Sequence, residues 1–128
     1  MKTTFATLFA AALIIAMPQA LSAHVRVTAS TPAAGSTAER VREITLSFSD
    51  ALDPSQTATE IVMTAMPGVE NHGLMYIRNF TTTWSDDNRT LTLMLRQPLR
   101  AGSYTVRWQS AGMGDGHRMS GEVSFEVR

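Results

Sequence analysis

Residues 43–48 read EITLSF, and apolar side chains alternate strictly with polar ones along this stretch. A period of two puts the apolar side chains on one face of a β-strand and the polar side chains on the other. A similar alternation recurs in three further stretches, at residues 91–96, 104–109 and 123–127. The pattern therefore predicts an all-β domain in which each of these strands buries one face.

Shorter strands are expected around Val25–Val27, Glu60–Thr64 and Tyr76–Trp84, and turn sequences rich in Gly, Pro, Asn and Asp separate the strands. No window has the pattern of an amphipathic helix, although residues 36–43, STAERVRE, are compatible with one helical turn. About seven short strands in a domain of about 100 residues are typical of an Ig-like Greek-key β-sandwich or barrel. We therefore expect one domain, without repeats or an internal linker.

The first 23 residues have the pattern of a secretory signal peptide, with one lysine, an apolar run from Phe5 to Met17, and the small residues of ALSA. The run is shorter than the roughly 20 residues that span a bilayer, and an uncut signal anchor is the alternative. Cleavage after Ala23 predicts a mature domain of residues 24–128 with His24 at its amino terminus. A competing cut after Ala20 would not free the α-amine of that histidine.

The charge and cysteine content exclude several classes of protein. The chain contains 11 Lys and Arg, 11 Asp and Glu, and no cysteine. A net charge near zero argues against nucleic acid or an anionic membrane surface as the partner. Without disulfides, an exported domain of this size must be stabilised by its core, and any site for a soft metal ion must use methionine in place of thiolate.

Two of the three histidines could bind one metal ion together with an acidic residue. Asp115 and His117 flank Gly116, so on an extended chain their side chains share one face, with Cα atoms roughly 6.5–7 Å apart. This pair alone does not separate copper, zinc or nickel, and surface loops contain such pairs by chance. An amino-terminal His24 would add its α-amine, with an ordinary pKa of about 7.7–8.0, and its Nδ1. Three nitrogens and one oxygen favour copper(II).

A methionine-rich segment provides a second candidate metal site. Residues 63–75, MTAMPGVENHGLM, contain Met63, Met66, His72 and Met75. Thioethers are soft, uncharged ligands that prefer copper(I) to copper(II) or zinc. The alternative is that methionine fills gaps in the core, above all Met63, which shares a strand face with Ile61. For the two methionines that flank the DGH triplet, Met113 and Met119, we expect packing, with accessory metal ligation as the alternative.

The sequence resembles the CopC family of periplasmic copper-resistance proteins over essentially the whole chain after residue 23. The resemblance rests on His24, the first residue of the predicted mature chain, and on the motifs STPAAGS, LSFSDAL, VMTAMPG, PLRAGSYTVRWQSAG, DGH and SGEVSFEV. It implies a Greek-key β-barrel with two copper sites at opposite ends. The implied copper(II) ligands are His24, Asp115 and His117, with Asp50 as a further candidate. The implied copper(I) ligands are Met63, Met66, His72 and Met75.

Three positions depart from the pattern of the family. Asp50 stands where a longer glutamate is frequent, and Val69 stands where a further methionine is common. The loop is also one residue longer around Asn71. These changes predict a shorter reach at the first site and a weaker or rearranged copper(I) site.

The predicted function is a non-enzymatic copper carrier of the periplasm that serves copper homeostasis and resistance. The resemblance implies a CopD-like inner-membrane transporter, or another periplasmic copper protein, as the partner. One alternative is an oxidative polysaccharide-cleaving enzyme, since an amino-terminal histidine plus a second histidine also forms a copper brace. Such an enzyme needs an open coordination position, which Asp115 would fill. The other alternative is an adhesive or structural sandwich domain, because sandwiches carry many functions.

Overall fold

The structure, a computed structural model, describes residues 25–112 and 117–128. Within these two ranges the chain forms nine β-strands and no helix. No helix long and apolar enough to cross a membrane occurs in the same ranges. The strands are β1 (Val27–Thr31), β2 (Thr37–Ala38), β3 (Glu43–Phe48), β4 (Leu52–Ala65), β5 (Met75–Ile77), β6 (Phe80–Trp84), β7 (Thr90–Leu95), β8 (Gly102–Gly112) and β9 (Arg118–Val127).

The strands form two sheets that pack face to face. One sheet has four strands in the order β1-β3-β7-β6, and the other has five in the order β2-β9-β8-β4-β5. Neighbouring strands are antiparallel, except that β2 runs parallel to β9. β3 and β7 are neighbours in the four-stranded sheet, but β4 and β5, which lie between them in the chain, belong to the five-stranded sheet. The chain therefore crosses repeatedly between the two sheets. The prediction of an all-β sandwich is confirmed.

The core lies between the sheets and consists of the side chains that the period of two selects. Phe48 of β3 meets Trp108 of β8 edge to face, with ring centroids 5.0 Å apart, and Tyr104 stacks on Phe125 at 5.9 Å. The alternating apolar positions are all buried: Ile44, Leu46 and Phe48 of β3, Leu91, Leu93 and Leu95 of β7, Tyr104, Val106 and Trp108 of β8, and Val123, Phe125 and Val127 of β9.

The shorter strands differ from their predicted bounds. The first strand begins at Val27, not Val25, and the segment from Tyr76 to Trp84 is divided into β5 and β6, which belong to different sheets. Residues 36–43 do not form a helical turn, because Thr37 and Ala38 pair with the end of β9. Two-residue and three-residue strands carry too little alternation to be read from sequence.

The long antiparallel pair of β4 and β8 defines two opposite ends of the sandwich. Leu52 is paired with Gly112 at one end, and Ala65 is paired with Ser103 at the other. At about 3.4 Å per residue, these pairs lie about 30 Å apart along β8. We call the end with Ala65 the methionine end and the end with Gly112 the amino-terminal end.

A glycine on β9 makes room for the largest side chain of the core. Gly121 is the Cα partner of Trp108, and a Cβ atom at position 121 would lie 2.7 Å from the indole Nε1. The indole ring therefore occupies the volume that any side chain at this position would need. Since Trp108 also contacts Phe48 of the other sheet, Gly121 contributes to the packing between the sheets.

The Gly121→Ala variant is expected to lower the free energy of unfolding by about 1–3 kcal/mol, because the added methyl overlaps the buried indole. Denaturant unfolding followed by tryptophan fluorescence measures the change. Ser120→Ala, on an exposed neighbour of the same strand, is the matched control and should stay within about 0.5 kcal/mol of the parent protein. Equal stability of the two variants would show that the indole has room to move.

Candidate metal centres

A tight turn after β4 brings the methionines of the methionine end together. Met63 of β4 and Met75 of β5 are Cα partners, so their side chains leave the sheet on the same face. Between them, Pro67 and Gly68 form a turn that the Val69 N–H closes by donating to the Met66 carbonyl at 3.2 Å. Gly68 has φ of 76°, which suits the third position of a type II turn and favours glycine there.

Three methionine side chains line one cavity of about 170 Å³ at this end. Met63 is buried at 2% exposure, whereas Met75 is 46% exposed, so the cavity extends from the core to the surface. Its further lining residues include Leu99, Arg100 and Tyr104. Three soft thioethers thus face one space that a single small ion could enter.

The charge around this cavity disfavours a divalent cation more than a monovalent one. No carboxylate occurs among the described residues that line it, and Arg100 is its one charged side chain. Burial raises the pKa of the Tyr104 phenol, against the weaker opposing effect of Arg100. The phenol is therefore neutral at physiological pH, and its hydroxyl donates to the Arg100 carbonyl at 2.6 Å. A neutral, sulfur-lined cavity beside one guanidinium penalises a divalent ion more than a monovalent one.

His72 lies outside this cavity in the structure, although it was predicted to complete the methionine site. Its Nδ1 lies 2.9 Å from the Gly73 carbonyl oxygen, which can only accept a hydrogen bond. Nδ1 therefore donates to this carbonyl, which leaves Nε2 as the ring nitrogen that could bind a metal ion. That Nε2 is buried and has no hydrogen-bond partner among the described residues. The ring is in the tautomer of a metal ligand, but the loop would have to move for it to join the methionines.

The position of β8 depends on a glycine next to the same cavity. Gly102 has φ of 159°, and a Cβ atom there would lie 2.5 Å from the Ala65 carbonyl oxygen and 3.0 Å from the Met63 methyl. The absence of a side chain thus allows the start of β8 to approach the end of β4. The sequence does not predict that Arg100 or the start of β8 lies at this cavity, because no local pattern indicates that contact.

Exposed apolar side chains are concentrated in the segment that carries Met75. Among the described residues, five large hydrophobic side chains are exposed, and all but Met94 lie in one segment of eight positions. They are Val69, Leu74, Met75 and Tyr76. An apolar surface this concentrated is typical of a region that contacts another molecule.

At the amino-terminal end, two predicted copper(II) ligands, His24 and Asp115, lie outside the described residues. His117 and Asp50 are described, and both are exposed. Asp50 Oδ2 lies 3.5 Å from the Ser49 hydroxyl. Within residues 25–112 and 117–128, no group of three or more His, Asp, Glu or Cys residues could hold a metal ion.

Backbone segments that adjoin these predicted ligands nevertheless converge. The Val25 N–H donates to the Met119 thioether sulfur at 3.2 Å. The Arg26 N–H donates to Ser49 Oγ at 3.1 Å, and the Ser49 N–H donates to the Arg26 carbonyl at 2.8 Å. Met119 belongs to the buried core, as expected for a packing residue, whereas Met113 lies outside the described residues.

Comparison with known proteins identifies relatives along almost the whole chain. Residues 27–128 match the family model described as the CopC domain. Copper resistance protein C of Pseudomonas syringae pv. tomato is 37% identical over 128 residues, covering 99% of this chain and 97% of that protein. Copper resistance protein C of Xanthomonas campestris pv. juglandis is 31% identical over 106 residues, covering 83% and 81%.

Solved structures share the fold. PcoC, a methionine-rich copper resistance protein from Escherichia coli, superposes with a TM-score of 0.72 at 28% identity, covering 83% of this chain and 100% of PcoC. CopC from Methylosinus trichosporium OB3b superposes with a TM-score of 0.63 at 23% identity, covering 81% and 93%, and supports the fold alone. With a sandwich of this shape and a family match over residues 27–128, the chain belongs to the CopC family.

Proposed function

We propose that this chain is a periplasmic copper carrier, which binds copper as cargo and catalyses no reaction. One observation carries the proposal: Met63, Met66 and Met75 line a single cavity in a chain without cysteine. The relatives are named copper resistance proteins, in agreement with this cargo. Export by a signal peptide at residues 1–23, cleaved before His24, is part of the proposal.

In the proposed copper(I) site, the three methionines bind the ion through their sulfur atoms. Support comes from the lining of the cavity, which contains no carboxylate and one positive charge, that of Arg100. Both features disfavour divalent ions. His72 joins as a fourth ligand through Nε2 when its loop closes, since the Gly73 carbonyl already holds the proton on Nδ1. Met75 is half exposed, so it is the ligand through which copper enters and leaves.

In the proposed copper(II) site, His24 binds through its α-amine and Nδ1, and Asp115 and His117 provide the further ligands. Asp50 is a candidate for an additional oxygen ligand. Nitrogen and carboxylate ligands suit the harder, oxidised ion, whereas thioethers suit the reduced ion. A change of oxidation state therefore lowers the affinity of one site and raises the affinity of the other.

The length of the sandwich prevents one ion from contacting both sites at once. Since the paired ends of β4 and β8 are about 30 Å apart, copper must leave one site before it reaches the other. Transfer thus goes through release, through a second molecule, or through a partner. We propose a CopD-like inner-membrane transporter or another periplasmic copper protein as that partner, with the exposed apolar segment around Met75 as the contact.

Replacing a cavity methionine by leucine should weaken copper(I) binding while keeping the packing. Met66→Leu and Met75→Leu are each expected to lower copper(I) affinity by about tenfold or more, since even an outer-shell partner of a metal is typically worth about 10–100-fold. Competition with a chromophoric copper(I) chelator under reducing conditions measures the affinity. Met94→Leu is the matched control, because Met94 is 41% exposed but lies on β7 of the other sheet. Equal losses in all three variants would contradict the site.

Removing the amino-terminal ligand should affect only the oxidised ion. His24→Ala, or one extra residue placed before His24 in the mature protein, is expected to lower copper(II) affinity by about tenfold or more and to leave copper(I) affinity unchanged. Parallel titrations with the two ions give the affinities, and electron paramagnetic resonance reports the nitrogen ligands. Amino-terminal sequencing of the exported protein should begin at His24. Unchanged copper(II) binding in both variants refutes this half of the proposal.

A further inference from the structure

We propose that Met119 and Ser49 are positioning residues that fix the start of the mature chain through hydrogen bonds to the main chain of Val25 and Arg26. This inference rests on the proposed copper(II) site and deepens it. Neither residue belongs to the predicted ligand set, and neither needs to touch the metal. We propose that they keep His24, the residue before Val25, close to the segment that carries His117.

The contact with Met119 replaces a missing main-chain partner. Val25 is buried, and a buried N–H without an acceptor costs free energy comparable to a lost hydrogen bond. Its acceptor is the Met119 sulfur at 3.2 Å, which lies in the core at 9% exposure. The thioether is a weak acceptor, but it is the one that the described structure provides here. Leucine at position 119 would fill similar volume and accept no hydrogen bond.

Ser49, which lies next to the four-stranded sheet, holds the main chain of Arg26. Ser49 follows β3, accepts from the Arg26 N–H through Oγ at 3.1 Å, and donates its own N–H to the Arg26 carbonyl at 2.8 Å. Met119 lies on β9 of the five-stranded sheet, whereas β3 belongs to the four-stranded sheet. The segment of Val25 and Arg26 is therefore held by both sheets, although it precedes the first strand.

We call the hydrogen bonds of Met119 and Ser49 to Val25 and Arg26 the clamp. Because the chain is continuous, the clamp limits how far residue 24 can lie from Val25. The Cα atom of residue 24 can lie only about 3.8 Å from that of Val25. His117 is two positions before Met119, so their Cα atoms are at most about 7 Å apart. Asp50 directly follows Ser49. Ordering these segments before metal arrives removes part of the conformational entropy cost of bringing the ligands together.

The test uses the mature protein and two variants, Met119→Leu and Ser49→Ala. In the metal-free protein, each should increase hydrogen exchange at the backbone amides of Val25 and Arg26 by about tenfold, while amides in β7 and β8 keep their rates. Each should also lower copper(II) affinity by about tenfold and leave copper(I) affinity unchanged. Met94→Leu and Ser47→Ala are the matched controls, since Met94 lies on β7 and Ser47 lies on β3 before Ser49.

The outcomes separate this inference from the function on which it rests. Local exchange and copper(II) affinity that match the controls in both variants overturn the clamp, even if His24→Ala abolishes copper(II) binding. Faster exchange at Val25 without loss of copper(II) affinity also overturns it, because Met119 would then order the main chain without contributing to the copper(II) site. If Met119→Leu does not fold, Ser49→Ala decides alone. A copper(II) affinity that His24→Ala leaves unchanged refutes the site itself, whatever the exchange rates show.

Discussion

The contact between Phe48 and Trp108 joins the two sheets, and the rest of the structure depends on it. Their rings meet edge to face with centroids 5.0 Å apart, and each is the last member of a run of alternating buried side chains. Trp108 occupies the space over Gly121, so the same indole ring connects β3, β8 and β9. Without disulfides, this packing holds the long strands in register, and their register determines which side chains reach each end of the sandwich.

The register of β4 and β8 has a direct chemical consequence. Fixed strands about 30 Å long keep sulfur ligands at one end and the segments near the predicted nitrogen ligands at the other. A flexible chain could mix both ligand types around one ion and would then distinguish poorly between copper(I) and copper(II). Separation by a rigid sandwich is therefore a physical basis for the selectivity that the proposed carrier requires.

The methionine end combines features that core packing alone does not explain. A side chain that only fills the core needs no exit to solvent, yet the cavity that Met63 lines continues to the half-exposed Met75. The buried Nε2 of His72 has no hydrogen-bond partner within residues 25–112 and 117–128, which is costly for a residue of purely structural role. Val69, at the end of the Pro67–Gly68 turn, adds exposed apolar surface to the same segment. The cavity thus brings together the three thioethers that the proposed copper(I) site requires.

The sequence alone determined the sandwich and its buried faces, because a period of two is a local property of a strand and burial follows directly from it. It also determined the ligand types, since softness and charge belong to individual side chains. Only the tertiary structure decided which of them meet. Met63 and Met75 come together through strand pairing and His72 stays outside, while Tyr104 of β8 and Arg100, just before β8, also line the cavity. These are contacts between distant positions, and they depend on register and turn geometry that no local pattern contains.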